Sequence, residues 1–126
     1  MKKTKRILAV VLSFLIIAII PLNAFAANLV DTIDLTVNVE PGMKMENYED
    51  YITINTPGID FCDEFHVYEI YEEESYSPFS DYFEPGRVYE LIIILSTTDG
   101  YVFAERESLF KSVTVNGEDV YFESYE

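Results

Sequence analysis

Cys62 and His66 are the single cysteine and the single histidine of the 126-residue chain, and they are the pair that most resembles a nucleophile and its base. A cysteine nucleophile needs an imidazole within hydrogen-bond reach and a third group to orient that imidazole. The two lie four positions apart in an alternating segment, and an extended chain rises roughly 3.3 Å per residue, so this spacing holds them about 13 Å apart. No nucleophile elbow, phosphate loop or metallopeptidase sequence accompanies them. A lone Cys and a lone His form neither a His/Cys zinc site nor an intrachain disulfide. His66 is therefore expected to be structural, and Cys62 to be buried or incidentally exposed rather than paired between molecules.

Carboxylates are the other candidates for chemistry. Groups such as Asp60/Asp63/Glu64 and Glu72/Glu73/Glu74 resemble acid/base pairs, but 23 acidic residues guarantee chance neighbours, and a solvated surface is the expected reading. Hard oxygen donors also suit weak calcium binding, although no Asp-x-Asp-x-Asp-Gly loop is present. No cofactor, metal-binding or catalytic residue is assigned, and the expectation is a protein that is not an enzyme. The ten tyrosines are the more informative excess. Tyr side chains on a sheet surface stack sugar rings or anchor protein partners, and Tyr48, Tyr51 and Tyr76 are the expected ligand-contacting residues.

The elements that position these groups follow from charge and period. Eight Lys and Arg oppose the 23 acids, a net charge of −15 that repels nucleic acid and anionic head groups. Residues 1–26 look like a signal peptide: Lys2, Lys3, Lys5 and Arg6 form a basic head, residues 7–20 are apolar except for Ser13, Pro21 breaks the run, and Ala24-Phe25-Ala26 offers small residues to a peptidase. The run of 14 residues is short against the roughly 20 needed to span a bilayer. Cleavage after Ala26 leaves a domain at residues 27–126 with four bases against 23 acids, a net charge of −19. That mature domain is expected to be secreted, extracellular and free of the membrane.

Its dominant period is two, the period of strands. Ile33, Leu35, Val37 and Val39 alternate with polar residues, and residues 51–54 form a second β-rich run. Residues 64–72 read as a central strand with Phe65/Val67/Tyr71 on one face and His66/Tyr68/Ile70 on the other. Residues 73–87 read as a long connection, and residues 88–95 as the best-buried strand. Residues 101–103 follow, and Leu109 and Phe110 fall in a connector that accommodates one helical turn. Val113-Thr114-Val115, Asn116-Gly117 and Val120-Tyr121-Phe122 give strand, type I′ turn and strand. The total is about seven strands, the pattern of an antiparallel β-sandwich, with Leu35, Val37, Tyr89, Leu91, Ile93, Phe103, Val113 and Val115 in its core.

Residues 83–95 (Phe-Glu-Pro-Gly-Arg-Val-Tyr followed by an apolar strand), Gly100-Tyr101-Val102-Phe103 and Val113-Thr114-Val115-Asn116-Gly117 occur in an order that resembles a known module. It is similar to the small immunoglobulin-like or fibronectin III-like domains of secreted and cell-surface proteins of Gram-positive bacteria. In such domains an upstream strand often carries a Trp where Tyr71 stands here. The resemblance implies an all-β, immunoglobulin-like sandwich outside the cell, acting as a binding or spacer module. Its expected partner is an unknown extracellular protein, with a glycan as the alternative.

The charge yields a test of its own. With −19 on the mature domain, repulsion opposes compaction, and salt shortens its range to about 10 Å at 0.1 M. Monovalent salt added from low concentration should raise the melting temperature; a fall at every concentration would remove the argument. Calcium should add a saturable increment beyond magnesium at matched ionic strength only where it has a specific site.

Overall fold

The computed structural model describes residues 11–19 and 28–125. Eleven strands run through them: β1 (Val11–Ile19), β2 (Asn28–Val30), β3 (Thr32–Val37), β4 (Ile52–Ile54), β5 (Ile59–Tyr71), β6 (Glu74–Tyr76), β7 (Val88–Thr97), β8 (Tyr101–Phe103), β9 (Ser112–Val115), β10 (Glu118–Asp119) and β11 (Tyr121–Tyr125). They form a five-stranded sheet ordered β11-β1-β7-β5-β6, a four-stranded sheet ordered β10-β9-β3-β4, and the pair β2-β8. The fold is an all-β sandwich, as the period of two implies. Helical structure among the described residues is limited to 3₁₀ turns at Tyr48–Asp50 and Glu107–Leu109, the second in the expected connector. No helix among these residues is long and apolar enough to cross a membrane.

Alternation explains the layers. Tyr89, Leu91, Ile93 and Leu95 of β7 are fully buried, and they meet Ile33, Leu35 and Val37 of β3 and Val113 and Val115 of β9 in one apolar core. All eight core positions expected from the sequence are at most 8% exposed. Each buried aliphatic side chain contributes about 1.5–3 kcal/mol relative to exposure, so this interior outweighs any surface ion pair.

Strand direction differs from the expected antiparallel arrangement. β5 pairs antiparallel with β7 and β6, whereas β1 runs parallel to both β7 and β11. β3 runs parallel to β9, and β2 to β8. Alternation reports which face of a strand is apolar and carries no information on its neighbour's direction, so the mixed pairing was invisible to it.

The apolar segment expected to be a leader supplies β1. Ile16 and Ala18 are fully buried, Leu12 and Phe14 pack against the core, and Ser13 on the opposite face is exposed. A charge-free run rich in Leu and Ile suits the middle of a sheet as well as a membrane-targeting segment. The basic head, Pro21 and Ala24-Phe25-Ala26 lie outside the described residues.

The stretch 73–87 is not all connection. Glu72 and Glu73, both at positive φ (50° and 66°), turn β5 directly into β6. Asn116 and Gly117 adopt the expected left-handed turn at φ 54° and 82°. The return strand pairs with β9 through β10 and through the Val120 N–H, which donates to the Val113 carbonyl, and then crosses to the other sheet as β11. Asn116 also ties this turn to β3: its Oδ1 accepts from the Val37 N–H at 2.9 Å, and its Nδ2 donates to the Val37 carbonyl at 3.0 Å.

Two substitutions test the local strain. Gly58 has φ +85°, and a Cβ built on it would overlap the Tyr101 ring. Gly58→Ala should therefore cost about 2 kcal/mol or more in chemical denaturation, the left-handed backbone alone costing an L-residue roughly 1–2 kcal/mol. In the opposite direction, Glu72→Asn with Glu73→Gly installs the residues preferred by a two-residue turn, and should stabilise the protein by about 1 kcal/mol.

Candidate functional site

Glu69 sits at an inward position of β5, opposite Tyr76 on β6 and Tyr89 on β7. An inward carboxylate requires a partner, because an unpaired buried charge is costly. Arg87, just before β7, supplies it: Nη1 donates to Glu69 Oε2 at 2.6 Å. The Glu69 side chain is 5% exposed and that of Arg87 40%, so the pair reaches from the interior to the surface. Glu69 holds the guanidinium above its ordinary pKa, by hydrogen bonding and then by charge. Arg87 also lies over the Phe79 ring, 5.8 Å from its centre, within cation–π range.

Along the same row burial gives way to exposure. Tyr89 is fully buried, whereas Tyr76 and Tyr71 are 44% and 63% exposed and Phe79 is 85% exposed. Glu69, Arg87, Tyr71, Tyr76 and Phe79 line a cleft of about 240 Å³. Tyr76 donates to Glu74 Oε2 at 2.6 Å, which raises its phenol pKa and fixes the ring at the rim. Three aromatic walls with a fixed ion pair behind them form a surface that takes an apolar or planar group and offers it polar contacts on one side.

Two loops hold Phe79 outside. Phe83 donates its N–H to the Met43 carbonyl and accepts from the Gly42 N–H, while the Met45 N–H donates to the Asp81 carbonyl. These bonds lock residues 81–83 to residues 42–45, and Phe83 enters the core at 1% exposure. A second depression, about 330 Å³, lies beside this seam and is lined in part by Lys44, Phe65, Val67 and Asp81.

The three tyrosines expected to touch ligand do not share a face. Tyr51 is 3% exposed, donates to the Met45 carbonyl at 2.6 Å and packs edge-on against Phe83, so it serves the core rather than a surface platform. Tyr48 is half-buried between Phe61 and Phe65. Only Tyr76 reaches the cleft. The reason is parity: Tyr48 opens a 3₁₀ turn and Tyr51 follows it, where a period of two does not apply.

His66 stands on the outer face of β5, exposed and stacked on Tyr68 at 6.3 Å. Cys62 is a free, half-buried thiol in the irregular stretch between Phe61 and Phe65. Asp60, Glu64, Glu72, Glu73 and Glu74 are exposed. Among the described residues no three His, Cys, Asp or Glu side chains converge to hold a metal ion. Sequence reasoning missed Glu69, Phe79 and Arg87 as a site. A signal for the first existed, since the inward set Phe65/Val67/Tyr71 skips residue 69, where a charge occupies an apolar position.

No protein-family model matches the chain, and neither a curated protein nor a solved structure matches it.

Burial also sets an alkaline limit. It pushes the Tyr51 phenol well above the ordinary 10.0, and Tyr89 shifts the same way for the same first cause. The unfolded chain therefore loses these protons first: stability is full below about pH 10 and falls as pH rises beyond it, by up to about 1.4 kcal/mol per unit for each group. Tyr51→Phe should flatten that fall in urea denaturation between pH 8 and 11.5. It should also cost about 1–2 kcal/mol at neutral pH through the unpaired Met45 carbonyl.

Proposed function

We propose that the protein is an exported, non-enzymatic binding module of the Gram-positive exterior, built as an immunoglobulin-like sandwich, whose partner is an extracellular protein. The observation that carries the reading is the cleft of Tyr71, Tyr76 and Phe79 over the Arg87–Glu69 pair. Exposed aromatic side chains beside an arginine are the residue types that dominate protein-binding hot spots. The immunoglobulin-like assignment draws support from Tyr89. Its hydroxyl accepts the Glu84 N–H at 3.0 Å, linking the start of β7 to backbone five residues upstream in the manner of a tyrosine corner. The export reading draws support from the basic head, the apolar run and Ala24-Phe25-Ala26 in the sequence.

A carbohydrate ligand is the second reading. The Glu74–Tyr76 pair beside exposed rings offers hydrogen bonds at the edge of a stacking surface, which is what a sugar ring uses.

A glycan array probed with the protein distinguishes the two. The protein-binding reading expects a blank array; saturable binding to a defined sugar, lost in Phe79→Ala and Tyr76→Ala, replaces it with the carbohydrate reading. Turnover of a peptide or glycan substrate by the purified protein would reject the non-enzymatic assignment. Expression in a Gram-positive host should yield extracellular protein whose mass begins at Ala27, and intact Met1 on the exported chain would reject the leader.

A further inference from the structure

The position of β1 has a consequence for the processed protein. β1 lies between β7 and β11, in register with β7 from Val11 to Ala18 and with β11 from Leu15 to Ile19. Removing residues 1–26 takes out a strand from inside a sheet. Two edges are then left facing each other across the width of one strand, and the positions of Leu12, Phe14, Ile16 and Ala18 open along the core side. One of those edges belongs to β7, the most apolar strand of the domain, and a long apolar edge recruits another strand.

We propose that this slot is a strand-acceptor site, filled in the processed protein by an extended segment of a partner chain running parallel to β7. The inference rests on the reading that residues 1–26 are removed on export. β1 defines what the slot accepts: a segment of about eight residues, apolar at every second position and small at the position of Ala18. The opposite face tolerates polarity, since Ser13 there is exposed. Flanking residues on the partner are basic, because the processed domain carries −19. Recognition by strand addition draws affinity from main-chain hydrogen bonds and specificity from pockets for alternate side chains, and the slot supplies both.

The test begins from the full chain, folded with its leader and carrying a protease site inserted between residues 26 and 27. After cutting and removal of the leader, the protein is titrated with a labelled synthetic peptide of residues 5–19, which keeps Lys5 and Arg6. One peptide should bind per chain, saturably, and raise the melting temperature. A Ser13→Lys peptide should bind equally, and an Ile16→Asp, Ala18→Asp peptide at least 100-fold more weakly. If the leader-free protein unfolds, refolding on peptide addition supports the site and failure to refold overturns it. Failure of the peptide to bind a folded leader-free protein overturns it, as does a dimer that excludes peptide. Unchanged hydrogen-exchange protection of β7 after leader removal overturns it too, since β11 would then have closed the gap. A Met1 terminus on exported protein overturns the leader reading beneath the proposal, and that result is read separately from the titration.

Discussion

Burial of Tyr89, Leu91, Ile93 and Leu95 is the constraint from which the other contacts follow. These residues share one face of β7, and that face belongs to the same buried cluster as the inward residues of β3 and β9. Holding such a strand in the interior requires neighbours on both edges, because its backbone amides and carbonyls are otherwise without partners. β5 covers one edge and β1 the other. At the start of the strand, the Tyr89 hydroxyl accepts from Glu84, and the Tyr89 ring meets Phe83 edge-on at 5.1 Å. The loop leading into β7 is thereby fixed, and with it Arg87.

The ion pair follows from that anchoring. In a chain this acidic, most carboxylates face water, and Glu69 is the one buried polar or charged residue among the described residues. Its partner comes from the segment that Tyr89 pins, so pair and corner form one structural unit. The cleft proposed as a binding surface lies where this unit emerges from the core. There the inward row of the larger sheet passes from Tyr89 through Glu69 to Tyr76 and Tyr71, and Phe79 closes over the guanidinium. A binding surface placed at the end of a packed row inherits its rigidity, which lowers the entropy lost on association.

The residues of β1, Val11–Ile19, meet two sets of physical demands with one composition. Membrane targeting needs an uncharged apolar run of limited length, and a central strand needs β-branched and large aliphatic side chains without charge. The segment satisfies both, and its alternation of Leu12, Phe14, Ile16 and Ala18 against Ser13 becomes meaningful only beside β7. That double competence connects the export reading to the strand-acceptor site.

The period of two by itself determined the all-β class, the eight core positions and the Asn116-Gly117 turn, because each depends on local geometry: which side of a strand is wet, and which residues tolerate positive φ. Strand partners and their directions were settled only in the tertiary structure, since one apolar face satisfies a parallel or an antiparallel neighbour equally. The same holds for the tyrosines. Tyr51 and Tyr76 have similar acidic surroundings in sequence, yet one donates to a buried carbonyl and the other lines a surface cleft, because a 3₁₀ turn rotates the first inward. Glu69 left a local signal, a charge at an apolar position of β5, that the reading of that strand passed over. Its pairing with Arg87, 18 residues away, and the cleft that Phe79 completes, arise from long-range folding that no local pattern encodes.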